Sequence, residues 1–143
     1  MSMFNVAIIN GDGYSEILTA AAKKVLTAVS EKFDFFLNFY PVDARAFLGK
    51  SESEILKTDE YKVVKSADAA IAGAISYDFA RSSVHDDVIT LICKNLGLFG
   101  CFRSIKSFYN TINCSALNDK DEVSNVDFLI VHDIAAKQFV EKG

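Results

Sequence analysis

The stretch Phe4-Asn5-Val6-Ala7-Ile8-Ile9-Asn10-Gly11-Asp12-Gly13-Tyr14-Ser15-Glu16 decides the architecture. Val6 to Ile9 is a short apolar run without polar interruption, the pattern of a buried strand, and Asn10-Gly11-Asp12-Gly13 supplies the turn residues that end it. A strand over about residues 4–9 follows. Ser15 is placed to cap a helix, and Glu16 suits the positive end of the helix dipole. Leu18, Ala22, Val25, Leu26 and Val29 recur at helical spacing, so a helix is expected over about 15–31 with these residues along its apolar face.

Working outward, Asp34 to Tyr40 is dense in phenylalanine and stops at Pro41, which suits a second strand. Residues 42–57 carry no decisive pattern. Thr58 with Asp59 and Glu60 marks a helix start, Tyr61, Val64 and Ala67 share one face, and the small apolar run Ala69 to Ile75 reads as a third, tightly packed strand. Ser83 or Asp86 opens another helix whose apolar face is Val88, Ile89, Ile92, Cys93 and Leu96, and Gly97 stands where a left-handed C-cap falls. Val126 to Val131 has the unbroken apolar character of a buried parallel strand. Strands separated by helices give an α/β fold, expected as a single three-layer domain over residues 1–143 with an open, mostly parallel sheet and right-handed crossovers.

The 143 residues suffice for one domain that buries a substantial core without staples. Nineteen acidic against fifteen basic residues leave a net charge of -4, which disfavours nucleic acid and anionic membranes as partners. Cys93, Cys101 and Cys114 are odd in number and lack the close pairs of zinc or redox motifs, so they read as reduced thiols. The N-terminus lacks the pattern of a signal peptide, and no window reaches ~18 uninterrupted apolar residues. A cytoplasmic protein is expected.

Four blocks in order resemble the N-terminal part of the isocitrate/isopropylmalate dehydrogenase family, the metal-dependent β-decarboxylating dehydrogenases. They are Gly11-Asp12-Gly13-Tyr14-Ser15-Glu16, Ser66-Ala67-Asp68-Ala69-Ala70-Ile71-Ala72-Gly73-Ala74-Ile75, Leu96-Gly97-Leu98-Phe99-Gly100-Cys101-Phe102-Arg103 and Val126-Asp127-Phe128-Leu129-Ile130-Val131-His132-Asp133. The resemblance implies a fold similar to the first lobe of isopropylmalate dehydrogenase, and it covers less than half of a family enzyme. The family clamps substrate carboxylates with three arginines, whose planar forks pair bidentately with carboxylates. By resemblance these positions fall on Cys93, Arg103 and His132, so one arginine remains. The family's proton-transfer tyrosine corresponds to Phe139, which has no hydroxyl, and Ile134 to Lys137 replace an Asn-Thr-Gly-Gly segment.

Arg103 and His132 are therefore the candidate substrate-binding residues, with Lys106 beside Arg103. No catalytic residue and no metal ligand is assigned. His85-Asp86-Asp87 and His132-Asp133 contain acid/base ingredients but read as a solvated helix start and a replaced Arg-Glu pair. Gly11-Asp12-Gly13 reads as a strand-to-helix turn needing positive φ in preference to a phosphate loop, and it lacks the dinucleotide fingerprint. Cys93 reads as a buried small hydrophobe. Asp119-Lys120-Asp121-Glu122 reads as a solvated loop.

The function expected is a non-catalytic binding or regulatory subunit, acting as a homo-oligomer or with a full-length dehydrogenase. It needs no cofactor by itself. Two other readings stand beside it: a component of a split enzyme using NAD or NADP and Mg or Mn, acting on a 2-hydroxy acid such as isocitrate or isopropylmalate, and a small-molecule sensor.

Overall fold

Met3–Asn10 form the first strand, β1, which lies at the centre of a three-stranded parallel sheet. It pairs on one side with β2 (Phe36–Asp43), from Met3 opposite Phe36 to Asn10 opposite Asp43. On the other side it pairs with β3 (Ala69–Ala72), from Val6 opposite Ala69 to Ile9 opposite Ala72. A central strand is covered on both faces, which is why the unbroken run Val6 to Ile9 is buried throughout. The computed structural model describes residues 2–75, 88–107 and 126–133. They fall into two units, Met1–Leu96 and Gly97–Gly143.

In the first unit the sheet carries its main core on one face. Ala7 and Ile9 of β1 and Val42 of β2 pack with Ala44 and Phe47 of a 3-10 turn (Ala44–Phe47) and Ile55 of α2 (Glu52–Ile55). Tyr61 and Val64 of α3 (Asp59–Ser66) and Val88, Leu91 and Ile92 of α4 (Val88–Asn95) complete it. The Thr58 hydroxyl accepts the Tyr61 N–H at 3.2 Å, as the start signal implied, and the face Tyr61, Val64 and Ala67 turns to the core. Gly97 has φ 71, the left-handed conformation expected after α4. The start of that helix at Ser83 or Asp86 lies outside the described residues. Cys93 is half-buried on α4, less enclosed than its apolar spacing suggested.

Three expectations change. Pro41 does not end the second strand: β2 runs through it to Asp43, with Val42 buried. Proline is tolerated because β2 has β1 as its sole neighbour among the described residues, and an edge strand needs no donor on its outer side.

The long helix α1 (Ser15–Phe33) forms close to its expected length, but its apolar face is not the face laid on the sheet. Ser15, Thr19 and Ser30 are buried, with Ala22 and Leu26 half-buried on the same side, while Leu18, Val25 and Val29 are exposed. The reason is packing distance: small side chains let the helix approach the sheet closely, Ser15 and Thr19 lying against Gly73 just past β3. The helix ends at Asp34, held left-handed at φ 64, its N–H donating to the Ser30 carbonyl.

The second unit is a two-stranded antiparallel ribbon of β4 (Gly100–Lys106) and β5 (Asp127–Asp133). The run Val126 to Val131 is thus neither parallel nor buried: every residue of β5 is exposed. Apolar content alone does not distinguish a strand enclosed by two neighbours from one in a ribbon.

Phe47 is fully enclosed at the centre of the first unit's core. Phe47→Ala is expected to lower unfolding free energy by about 3–5 kcal/mol, the range for a large aromatic truncated in a close-packed interior. Urea unfolding followed by circular dichroism reads it, and a loss under ~1 kcal/mol would show that this side chain is not part of a packed core.

Candidate functional site

Two places in the molecule carry the polar groups singled out by the sequence. The first is the joint where β1 ends, α1 begins and β3 passes alongside. Gly13 has φ 55, so the turn reading holds at the residue where a side chain would be strained. Ser15 does not cap the helix. It is the first helical residue, and its hydroxyl accepts the Gly11 N–H at 2.8 Å, while its own N–H donates to the Asp12 carbonyl at 3.0 Å. The helix N-cap, Tyr14, makes no side-chain cap.

One turn later the Thr19 hydroxyl donates to Asn10 Oδ1 at 2.7 Å and lies 3.0 Å from the Ser15 carbonyl. Two of the N–H groups at the turn, those of Gly11 and Ser15, are thus spent on the protein itself.

The glycines here serve close approach. A Cβ on Gly73, just past β3, would overlap the Ser15 hydroxyl and come within 2.9 Å of Thr19 Cγ2. A Cβ on Gly11 would overlap the Ala74 carbonyl. Ser15 and Thr19 were not singled out as a contact face in the sequence. Their signal is the spacing Ser15, Thr19, Ala22, Leu26, Ser30, a stripe of mostly small residues at three- and four-residue steps beside the more conspicuous apolar one.

The second place is the ribbon. Its register sets Cys101 opposite His132, Arg103 opposite Ile130 and Ile105 opposite Phe128. Directly opposed residues share a face, and residues two apart along a strand do too. Arg103 and His132 therefore lie on one face as diagonal neighbours, at a separation of roughly 7–8 Å, within reach of one small anion. Both are exposed.

Lys106 belongs to the opposite face, and its ammonium donates to Asp127 Oδ2 at 2.8 Å. It does not join Arg103 in an anion site. Cys93, the third position in the resemblance, sits on α4 of the other unit. His85-Asp86-Asp87, Cys114, Asp119 to Glu122, Ile134 to Lys137 and Phe139 lie outside the described residues.

Among the described residues no three His, Cys, Asp or Glu side chains come together to hold a metal ion. Nor is any described helix long and apolar enough to cross a membrane.

Elsewhere the electrostatics are local and exposed. The Arg45 guanidinium, bonded at 2.8–2.9 Å, holds the Asp43 carboxyl below its ordinary value. Hydrogen bonds from the hydroxyl and N–H of Ser51 do the same for Glu54 in a capping box at the start of α2, and Lys62 does it for Asp59. Asp127 raises Lys106.

Two measurements follow from this geometry. Gly73→Ala is expected to destabilise the protein by roughly 1–3 kcal/mol through overpacking against α1, and by less in a Ser15→Ala background. Equal losses in both backgrounds, by urea midpoint, would refute the contact.

The lowered carboxyls contribute stability that is present above their unfolded values near 4 and lost as pH falls through their folded values. Stability is therefore expected to fall below about pH 4, with part of that slope missing in Asp43→Asn. An unchanged acid slope would remove Asp43 from the account. The raised Lys106 contributes below about pH 10.5 and loses its contribution at higher pH.

Comparison with known proteins matches residues 5–142 to the model of the isocitrate/isopropylmalate dehydrogenase family. The chain is 29% identical over 138 residues to the 3-isopropylmalate dehydrogenase of Clostridium pasteurianum, covering 94% of this chain and 39% of that one. The enzymes of the same name from Cupriavidus pinatubonensis and Lactococcus lactis are each 30% identical, over 133 and 135 residues. These two alignments cover 90% of this chain and 36% and 37% of the relatives. The chain thus spans about two-fifths or less of the length of these relatives.

Proposed function

Because the chain belongs to the isocitrate/isopropylmalate dehydrogenase family, we propose that it is a non-catalytic binding or regulatory subunit, acting through contacts with copies of itself or with a full-length dehydrogenase. What supports this reading is what stands at the three positions that, by resemblance, correspond to the family's carboxylate-clamping arginines. Two hold Cys93 and His132, and the surviving Arg103 has lost Lys106 to the Asp127 ion pair on the other face of the ribbon.

A single guanidinium still pairs with one carboxylate, but turnover of a 2-hydroxy acid needs the substrate held at several points and the developing enolate stabilised. One anion contact orients little.

A binding subunit keeps the recognition surface of such a fold without its chemistry. NAD or NADP and Mg or Mn belong to the enzyme reading, in which a second polypeptide supplies what this chain does not hold.

Thermal unfolding against isocitrate, isopropylmalate, NAD and NADP, with and without Mg or Mn, tests the proposal. A ligand at 100 times its dissociation constant stabilises by about 2.7 kcal/mol, a readable rise in Tm for a chain of this size. The expected result is a flat panel and no reduction of NAD or NADP by the purified chain. A rise with one hydroxy acid that disappears in Arg103→Ala would overturn it in favour of a ligand sensor, and turnover would overturn it in favour of an enzyme.

A further inference from the structure

Asn10 closes β1 and Gly11 follows it, a pair that is chemically unstable in an open chain. The Gly11 backbone nitrogen attacks the Asn10 side-chain carbonyl carbon, a five-membered imide closes, and ammonia leaves with the amide nitrogen. Water then opens the ring at either carbonyl, giving aspartate or, with the backbone rerouted through the side chain, isoaspartate. Glycine favours the closure because it has no side chain to obstruct the approaching nitrogen. In sum one amide and one water become one acid and one ammonia, with no other reactant.

The atoms this reaction must move are held in the joint of β1, α1 and the segment just past β3. Ring closure turns two bonds of Asn10, the one to its backbone carbonyl and the one to its Cβ, out of the extended strand conformation. The first is fixed by the register that sets Asn10 opposite Asp43, and by the Ala74 carbonyl, which lies so close over Gly11 that a Cβ there would overlap it. The Gly11 nitrogen is itself committed, its N–H donating to the Ser15 hydroxyl at 2.8 Å.

The second bond is fixed by the Thr19 hydroxyl, which donates to Asn10 Oδ1 at 2.7 Å. A donor on that oxygen favours attack by stabilising the charge that develops there, so the protection lies in orientation and not in polarity. Asn10 is only half-buried, and burial is not what shields it.

We propose that Asn10-Gly11 is a latent deamidation site, closed by the Ser15 and Thr19 hydroxyls and by the packing of Gly11 under Ala74, and that it reacts only when this joint opens. Neither product lets the joint close as before. Isoaspartate inserts an additional carbon into the backbone where Gly11 has no room. Aspartate sets a second carboxylate opposite Asp43, and like charges directly opposed across a strand pair destabilise it. The change is one-way, so the modified fraction records how much of its life the chain has spent with the joint open. This chemistry is independent of whether the chain binds a partner or catalyses a reaction.

Incubation of the 143-residue chain at mildly alkaline pH, with peptide mass spectrometry on the segment carrying positions 10 and 11, tests it. A synthetic peptide of residues 5–16 gives the unprotected rate. Wild type is expected to deamidate at least tenfold more slowly than the peptide. Ser15→Ala, which frees the Gly11 N–H, and Gly73→Ala, which pushes against Ser15 from the sheet side, are each expected to raise the rate severalfold with an unchanged circular dichroism spectrum.

Local opening exposes little surface, so the wild-type rate is expected to stay nearly constant in urea below the unfolding transition. The two wild-type comparisons decide the matter even where a variant fails to fold. A wild-type rate equal to that of the peptide, a folded variant no faster than wild type, or a rate that climbs with urea as the unfolding equilibrium does would each overturn the proposal.

Discussion

The contact of Ser15 with Gly73 is the constraint on which the first unit depends. It fixes how near α1 comes to the sheet, since nothing larger than a hydrogen fits at position 73 with the serine hydroxyl in place. That hydroxyl is itself held by the Gly11 N–H, and Gly11 has no room for a side chain because the Ala74 carbonyl passes over it. Turn, helix start and third strand are thus one interlocked joint, extended a turn further by Thr19 on Asn10.

This joint has a consequence for function. Outside the carboxyl ends of parallel strands, where neighbouring connections diverge, α/β proteins commonly place ligands. Here the N–H of Gly11 is satisfied by Ser15 and that of Ser15 by Asp12. The chemistry-bearing groups that remain open, Arg103 and His132, lie on a different unit and on one face of a two-stranded ribbon. At this joint the Gly11 and Ser15 N–H groups and the Thr19 hydroxyl serve packing.

Much of this was legible in the residues. The strand, turn and helix at the start, the Thr58 cap, the small-residue third strand and the Gly97 stop all carry local signals, and each forms close to where its signal falls. The face of α1 was not legible, because its sheet side is chosen by size and not by hydrophobicity. A stripe of serine, threonine and alanine looks less like a buried face than one with leucine and valine. The setting of Val126 to Val131 was equally hidden, since an apolar run reports that burial is favourable and not that a neighbour is present. The same holds for Lys106, whose nearness to Arg103 in sequence suggested a shared site until the alternation of the strand set them on opposite faces.

The sequence by itself determined the α/β class and the family likeness. These depend on periodicity, turn chemistry and residue type, which are local along the chain. Only the tertiary structure decided which side of α1 meets the sheet, that β5 pairs antiparallel with β4, and that Arg103 and His132 share a face without Lys106. Those outcomes depend on distances between segments far apart in sequence, and such distances are fixed by close packing and strand register, which no single segment encodes.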